Sequence, residues 1–376
     1  MNVGLGCTML ARSKATGHGD GISVYTGELL KSFAADPACR GVVQVVFGSA
    51  LANAIPTAHA MPLSYPPAAV LAAATHLPFP GSNALQAGID LFHATDHHIP
   101  RLGRTPVIAT LMDVIGLRHP EWLNPRLRTL KNLLLRKTTT WAERYITISD
   151  FSADDISDCL SIPREKIVSI PLGVDEQFFS PVPSQTREAV IESYGLRPGY
   201  FLFVGTLQPR KNVRRVVQAH ASLPVEIRLR HPLVIVGQNG WRTDDLLPAL
   251  SAMESEGRGR WLKYVARNEL FSLLQSARAL VFPSLYEGFG LPVLEAFASR
   301  IPVVTSNTTS LPEVAGNAAL LVDPLSVDAI AHAMSQLASD QLLCDSLIDA
   351  GVRRAREFTW QQTARKTWAV YERFMR

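Results

Sequence analysis

Short apolar runs rich in valine and isoleucine recur along the chain, separated by longer stretches whose apolar positions fall at helical intervals. They are GVVQVVFG, LFHATD, VIATLMD, RYITISD and IVSIPLG, then YFLFVGT, PLVIVGQ, ALVFPS, IPVVTS and AALLVDP. Runs apolar on both faces fit parallel strands covered by helices on each side, so the fold class is α/β. The opening MNVGLG breaks at glycines and has no basic start, so it reads as a first buried strand and not a signal peptide. The alternation fills both halves of 376 residues, which favours two doubly wound domains over one large sheet. PLGVDEQFFSPVPSQ, with three prolines and no periodicity, is the natural linker. The expected domains are residues 1–180 and 181–355, followed by a closing helix over 356–376. In that last stretch Phe358, Ala364, Trp368, Tyr371 and Phe374 sit at roughly helical intervals, as in an amphipathic helix that packs back on the first domain.

Composition narrows the function classes. Hydrophobic residues at 47% and charged residues at 19% describe a globular chain, and a net charge of +4 gives no reason to expect a nucleic-acid partner. The four cysteines, at 7, 39, 159 and 344, show no C-x-x-C spacing. That suits reduced thiols in a cytoplasmic protein and argues against a zinc or disulfide framework. The oiliest stretch, PPAAVLAAATHLPFP, is bracketed by prolines and interrupted by His76, so membrane contact is expected to be peripheral, on the inner face of the plasma membrane.

Candidate chemistry concentrates in YEGFGLPVLEA, which sets Glu287 and Glu295 eight positions apart around two glycines and a proline. It follows the strand ALVFPS and opens a helix, with Pro292 expected at the first helical position. The N–H groups around Gly290, Leu291 and Val293 to Glu295 then have no partner inside the helix, which makes an anion site at the carboxyl end of a strand. Ionised carboxylates only accept hydrogen bonds, and ligand groups rich in donors are hydroxyls. A diphosphate flanked by hydroxyl-bearing rings, as in a nucleotide-sugar, meets both demands. The bland reading makes Glu295 a helix-dipole partner and Glu287 a solvated loop residue.

YFLFVGTLQPRKNVRRVVQAH repeats the logic of strand, glycine turn and helix. Gly205 lies in the turn, and Arg210 and Lys211 stand where the turn becomes a helix. Two cations there oppose the helix dipole unless an anion arrives, and an arginine fork beside a compact ammonium suits a phosphate pair. The alternative is a solvated basic face shared with Arg214 and Arg215.

VGTLQPRKN, then YEGFGLPVLEA, SNTTSLPEVAG and LLVDP, in that order, resemble glycosyltransferase family 4. The likeness extends through TLMDVIGLRHPEW, RYITISDFSADDI and IVSIPLGVD to the terminal FTWQQTARKTWAVYERF. It implies a GT-B fold, with two Rossmann-like domains facing across a cleft, and a retaining transferase whose nucleotide-sugar is a substrate, with no cofactor. By the same resemblance Glu287 would contact the donor sugar, and the backbone of Phe289, Gly290 and Leu291 would hold the sugar and the distal phosphate. Glu295 would bind the ribose diol, Arg210 and Lys211 the diphosphate, and the stretch around Tyr264 and Val265 the base. Gly21, in GHGDGISVY, would approach from the other domain.

Two departures stand out. The loop reads Asp20-Gly21-Ile22-Ser23 where family members often have a further glycine, and Met112 precedes Asp113 where many have histidine. His18 and His93 are the substitutes considered for that histidine. The sequence contains no Asp-x-Asp, so metal-independent chemistry is expected, with Arg210, Lys211 and the helix start stabilising the leaving group by about 3 kcal/mol per well-placed donor. Asp113 is a candidate for orienting the acceptor hydroxyl, or equally a helix cap. In PRLRTLKNLLLRKTTTW, Arg126, Arg128, Lys131, Arg136 and Lys137 stand among Leu127, Leu130, Leu133 and Leu134. That helix either rests on an anionic membrane surface or packs on the sheet with a solvated basic face.

The resemblance implies transfer of a hexose, with mannose from GDP-mannose as the expected donor, to a growing saccharide acceptor, possibly lipid-linked, of bacterial surface polysaccharide. A sugar or sugar-phosphate synthase with a soluble acceptor and a non-catalytic nucleotide-sugar binder share the donor residues. A dinucleotide oxidoreductase is disfavoured, because neither strand-turn-helix carries G-x-G-x-x-G followed by a ribose-binding acid.

Overall fold

A computed structural model describes residues 1–17, 19–122 and 128–375. Seven of its strands form one sheet: β1 (Val3–Gly6), β2 (Val42–Phe47), β3 (His59–Met61), β4 (Leu91–Ala94), β5 (Val107–Thr110), β6 (Arg144–Thr147) and β7 (Ile167–Ser169). Six form a second: β8 (Phe201–Val204), β9 (Leu233–Val236), β10 (Gly259–Leu262), β11 (Ala279–Phe282), β12 (Val303–Ser306) and β13 (Leu320–Val322). Every pairing is parallel. All eleven runs marked by their apolar pattern are strands. The two the pattern does not mark, β3 and β10, are edge strands. β3 is three residues long, and β10 carries Arg260 at its exposed edge, so neither shows a buried run.

The strand orders are β3-β2-β1-β4-β5-β6-β7 and β10-β9-β8-β11-β12-β13. Each reverses direction once, between β1 and β4 in the first sheet and between β8 and β11 in the second. At such a reversal the loops leaving the two central strands splay apart, and the opening at the strands' carboxyl ends is where open α/β sheets take ligands. The register centres each sheet on those pairs: Val3 lies opposite Val42 and Leu91, and Phe201 opposite Leu233 and Ala279.

The chain forms two units. One holds Met1–Pro120, Pro125–Gly173 and the closing stretch from Trp360; the other holds Glu121–Asn124 and Val174–Thr359. In the first, Val45, Phe47, Phe79, Phe92 and Ala109 form part of one core. The closing helix Trp360–Met375 buries Trp360, Trp368 and Tyr371 in the same unit, with Trp368 edge-on to Phe33 at 5.5 Å. Phe358, expected on that helix, precedes it and packs instead against Phe289 of the second unit at 5.9 Å. In the second unit Phe201, Leu202, Ile235, Val281 and Val304 are fully buried, as strands covered on both faces must be.

Among the described residues, no helix is long and apolar enough to cross a membrane.

Candidate active site

The loops after β8 and β11, on either side of the second sheet's reversal, are tied to each other by backbone and side chain. Leu285 N–H donates to Arg210 O at 2.7 Å. Asn212, with φ of 59°, gives its side-chain amide to Pro283 O at 2.9 Å and Pro324 O at 2.6 Å, binding the ends of three strands into one floor. Gly237, after β9, must lack a side chain, because a Cβ there would lie 2.0 Å from Gly205 O.

This floor brings Arg210, Lys211 and Glu287 into one cluster. Arg210 Nη1 donates to Glu287 Oε2 at 2.8 Å, and Lys211 Nζ to Glu287 Oε1 at 2.6 Å. Arg210 Nη1 also reaches Tyr286 O at 3.2 Å, and Lys211 Nζ sits 4.6 Å from the Phe282 ring centre. Burial alone would raise the Glu287 carboxyl, but Lys211 and then Arg210 overcome it and hold the group at about 2, so it is ionised. The bland reading of Glu287 as a solvated loop residue therefore fails: its side chain is 9% exposed. Nor do the cations form a solvated basic face. Two cations and one anion leave a net single positive charge, and Arg210, a quarter exposed, carries it to the surface of the site.

The glycine loop follows. Gly290 has φ of 114°, and a Cβ there would meet Leu311 Cδ2 at 2.6 Å, so glycine is required on both counts. Ser310 Oγ lies 2.9 Å from both Glu287 O and Phe289 O and gives its proton to one of them. Ser310 is a positioning residue for which the sequence carried no signal beyond the motif SNTTSLPEVAG. The helix spans Leu291–Ala298, so Pro292 is its second residue, not its first, because the left-handed Gly290 caps it one residue earlier. Val293 N–H donates to Gly290 O at 3.0 Å and is not available to a ligand as expected. Among the described residues, the N–H groups of Phe289, Gly290 and Leu291 donate to no protein group, and they are the ones left for an anion.

Glu295 lies in the second turn of that helix, beyond the dipole's first-turn reach, which removes its bland reading. It is half-buried, and burial raises its carboxyl to about 7, against a lowering by Arg267 and a further raising by Asp175. The expectation of a plainly ionised Glu295 is thus corrected: near neutral pH it is poised between its two forms. Arg267 Nη2 holds Asp175 Oδ2 at 2.9 Å. Tyr264 and Val265, two positions before that arginine's helix, lie on the loop after β10, Tyr264 65% exposed and Val265 half-buried.

The remaining expected residues belong to the first unit. Gly21 opens the helix Gly21–Ala35, and a Cβ there would meet nothing within 4 Å. Two positions on, Ser23 closes a capping box: Asp20 Oδ1 accepts from Ser23 N at 2.8 Å, and Ser23 Oγ from Asp20 N at 2.9 Å. Asp113 Oδ1 accepts from Ile115 N at 3.1 Å, a turn bond leading into the helix Ile115–Arg118, whose cap is Val114 and not Asp113. Met112 is half-buried beside it.

His93 is not a ligand-contacting histidine. It is fully buried on β4, with Nδ1 2.5 Å from Tyr371 Oη and Nε2 2.7 Å from Thr110 Oγ1. Burial holds its imidazole near 3, neutral. His18, with Arg126 and Leu127 of the basic stretch, lies outside the described residues. The loop after β4, at the first sheet's own reversal, instead presents His98. Its Nδ1 is 2.8 Å from Asp96 Oδ2, and Asp96 Oδ1 accepts from His98 N at 2.7 Å. Burial works to raise Asp96, but His98 lowers it below the ordinary carboxylate range. Sequence reading passed over this pair, although the string ATDHH contains it.

In the basic helix, now Arg128–Thr139, Arg128 donates to Pro120 O at 2.8 Å and Arg136 to Cys159 O at 2.6 Å, while Leu134 packs on the core. Leu130 and Leu133, by contrast, are 52% and 65% exposed.

Comparison with known proteins agrees with this geometry. The model of glycosyl transferases group 1 matches residues 187–354, and that of Glycosyltransferase Family 4 matches residues 19–178. The chain is 36% identical to the O-antigen chain mannosyltransferase B of Escherichia coli over 75% of this chain and 74% of that one. It is 34% identical to an MMP alpha-(1->4)-mannosyltransferase of Mycolicibacterium hassiacum over 61% of this chain, spanning about half (53%) of that protein. Its fold matches HepE of Anabaena, solved with UDP-glucose, with a TM-score of 0.74 over 99% of both chains at 17% identity. Two parallel sheets built on the GT-B plan, with both family models matched, identify the chain as a glycosyltransferase belonging to family 4.

Proposed function

We propose that this enzyme transfers mannose, with retention of configuration and without a metal ion, from GDP-mannose to the end of a growing lipid-linked surface polysaccharide. The observation that carries the donor half is the Arg210–Glu287–Lys211 cluster beside the open N–H groups of Phe289, Gly290 and Leu291. The diphosphate would lie on those N–H groups and on Arg210 and Lys211, Glu287 would fix both cations and face the sugar, and Glu295 would accept from the ribose hydroxyls. The base would rest by Tyr264 and Val265.

As the bond from the anomeric carbon to the phosphate oxygen breaks, its electron pair stays on the diphosphate, where the net positive cluster and the N–H groups offset the growing charge. The acceptor oxygen bonds to the anomeric carbon from the same face, and its proton passes to the departing phosphate. Asp113, or Asp96 with His98, would orient that hydroxyl, and Gly21 would leave room for the donor.

Mannose and the polysaccharide acceptor rest on the names of the related mannosyltransferases. A membrane-bound acceptor is supported by the exposed Leu130 and Leu133 on a helix that also carries Lys131 and Lys137. The test is product analysis: the purified chain is given GDP-mannose or UDP-glucose and a mannose-ended saccharide on a lipid diphosphate. Expected is an α-mannosidic product from GDP-mannose alone. A β-linked product, or transfer only to soluble sugar phosphates, would overturn the reading.

A further inference from the structure

The first unit holds a second cluster of cations that the transfer reaction does not use. Arg101, Arg104 and Lys137 line one cavity of about 300 Å³, with Thr105, Thr140 and Glu143. Among the described residues, none of the three cations and not Glu143 forms an ion pair. Three positive charges against one negative around a single cavity repel one another, and no fold requirement calls for them.

The loop that presents the arginines is held at several points. Phe79 N–H donates to Arg101 O at 2.9 Å, Arg104 N–H to Gln86 Oε1 at 3.0 Å, and Leu102 and Thr105 are buried. A Cβ on Gly103 would come within 3.3 Å of Pro78, so the loop lies close on its neighbour. The backbone that carries the arginines is therefore fixed, which keeps both of them at one rim of the cavity.

The cavity's place separates it from the reaction. Its residues precede β5 and β6, at the amino ends of those strands, whereas Asp96, Met112 and Asp113 follow β4 and β5 at the carboxyl ends. Four strand residues at about 3.3 Å each put roughly 13 Å between the two edges. Lys137 also continues a stripe on its helix: Leu130, Leu133 and Lys137 are spaced three and four residues apart, so the exposed leucines lead along one face to the cavity.

We propose that Arg101, Arg104 and Lys137 form a binding site for a phosphate or diphosphate group, distinct from the donor site. The group has two sources, a soluble phosphate or the headgroup of a lipid. Calorimetry with inorganic diphosphate should find two sites on the wild-type chain. One is displaced by GDP. The other is weakened at least about tenfold in Arg101→Gln/Arg104→Gln, as expected when charge-assisted bonds are lost. Co-sedimentation with vesicles of phosphatidylcholine, with and without phosphatidic acid, separates the sources. Loss of acid-dependent vesicle binding in the variant, with competition by diphosphate, identifies a lipid headgroup; a lost diphosphate site with unchanged vesicle binding identifies a soluble phosphate. Unaltered diphosphate stoichiometry and affinity in the variant, with its melting temperature and GDP binding intact, would overturn the proposal.

Discussion

Lys211 Nζ and Glu287 Oε1, 2.6 Å apart and each about 90% removed from solvent, form a buried ion pair that joins the loops leaving the two central strands of the second sheet. Removing one partner of a buried ion pair costs up to about 3–5 kcal/mol, and Arg210, which also bonds Glu287, keeps the cost of losing Lys211 below that limit. Lys211→Ala should therefore lower the melting temperature and weaken donor binding together, while Lys211→Met/Glu287→Leu should recover much of the stability and none of the binding. Thermal melts with and without GDP-mannose check both halves.

The same pair sets an acid limit. Glu287 is held at about 2, below its ordinary 4.5, so its contribution to stability is present above pH 4.5 and is lost as pH falls from there through 2. Wild-type stability should drop over that window more steeply than that of Glu287→Gln, which lacks the titration. Denaturant unfolding at pH 6, 4 and 3 measures the difference.

Glu295 points the other way. Its carboxyl is raised to about 7, so its contribution to the free fold is greatest below about pH 4.5 and is lost as pH rises through 7. Ribose hydroxyls donate to the ionised form, so donor affinity should rise between pH 6 and pH 8, by up to about tenfold for one unit of linked titration. Glu295→Gln should bind GDP-mannose more weakly and with no such dependence. Calorimetric titration at the two pH values decides it.

His98, anchored on Asp96, should act on the acceptor and not on the donor. Its Nδ1 pairing leaves Nε2 for a ligand, on the loop next to the one that carries Met112. His98→Ala should lower kcat by up to about a hundredfold, the scale of a misplaced reacting group, and leave the Kd for GDP-mannose unchanged. His98→Asn should retain part of the rate if the role is orientation alone. Initial rates beside donor titrations separate these outcomes.

What was legible in the sequence follows from burial. Strands covered on both faces leave continuous apolar runs, so the nine inner strands were readable, and the edge strands β7 and β13 kept enough apolar residues to be read as well; the other two edges, the three-residue β3 and β10 with its exposed Arg260, had no such signature. Glycine and proline marked the donor loops because Gly290 must adopt a positive φ, and Arg210, Lys211 and Glu287 stand where those loops turn. Their mutual pairing was not readable, since residues 76 and 77 positions apart meet only through the strand order. The same holds for Ser310 and Asn212, whose bonds to distant carbonyls have no local pattern, and for His93, whose partner Tyr371 lies 278 positions away on the closing helix. Local spacing could name the loops, but it took the crossing of the sheets to show which side chains face one another.

The central claim is that Arg210 grips the diphosphate and Glu295 the ribose of one GDP-mannose molecule in the second unit. Calorimetric titration of GDP-mannose into the wild-type chain, Arg210→Ala and Glu295→Ala tests it most directly. Each variant is predicted to bind at least about tenfold more weakly, the loss expected for one charge-assisted contact. Wild-type affinity in both would contradict it.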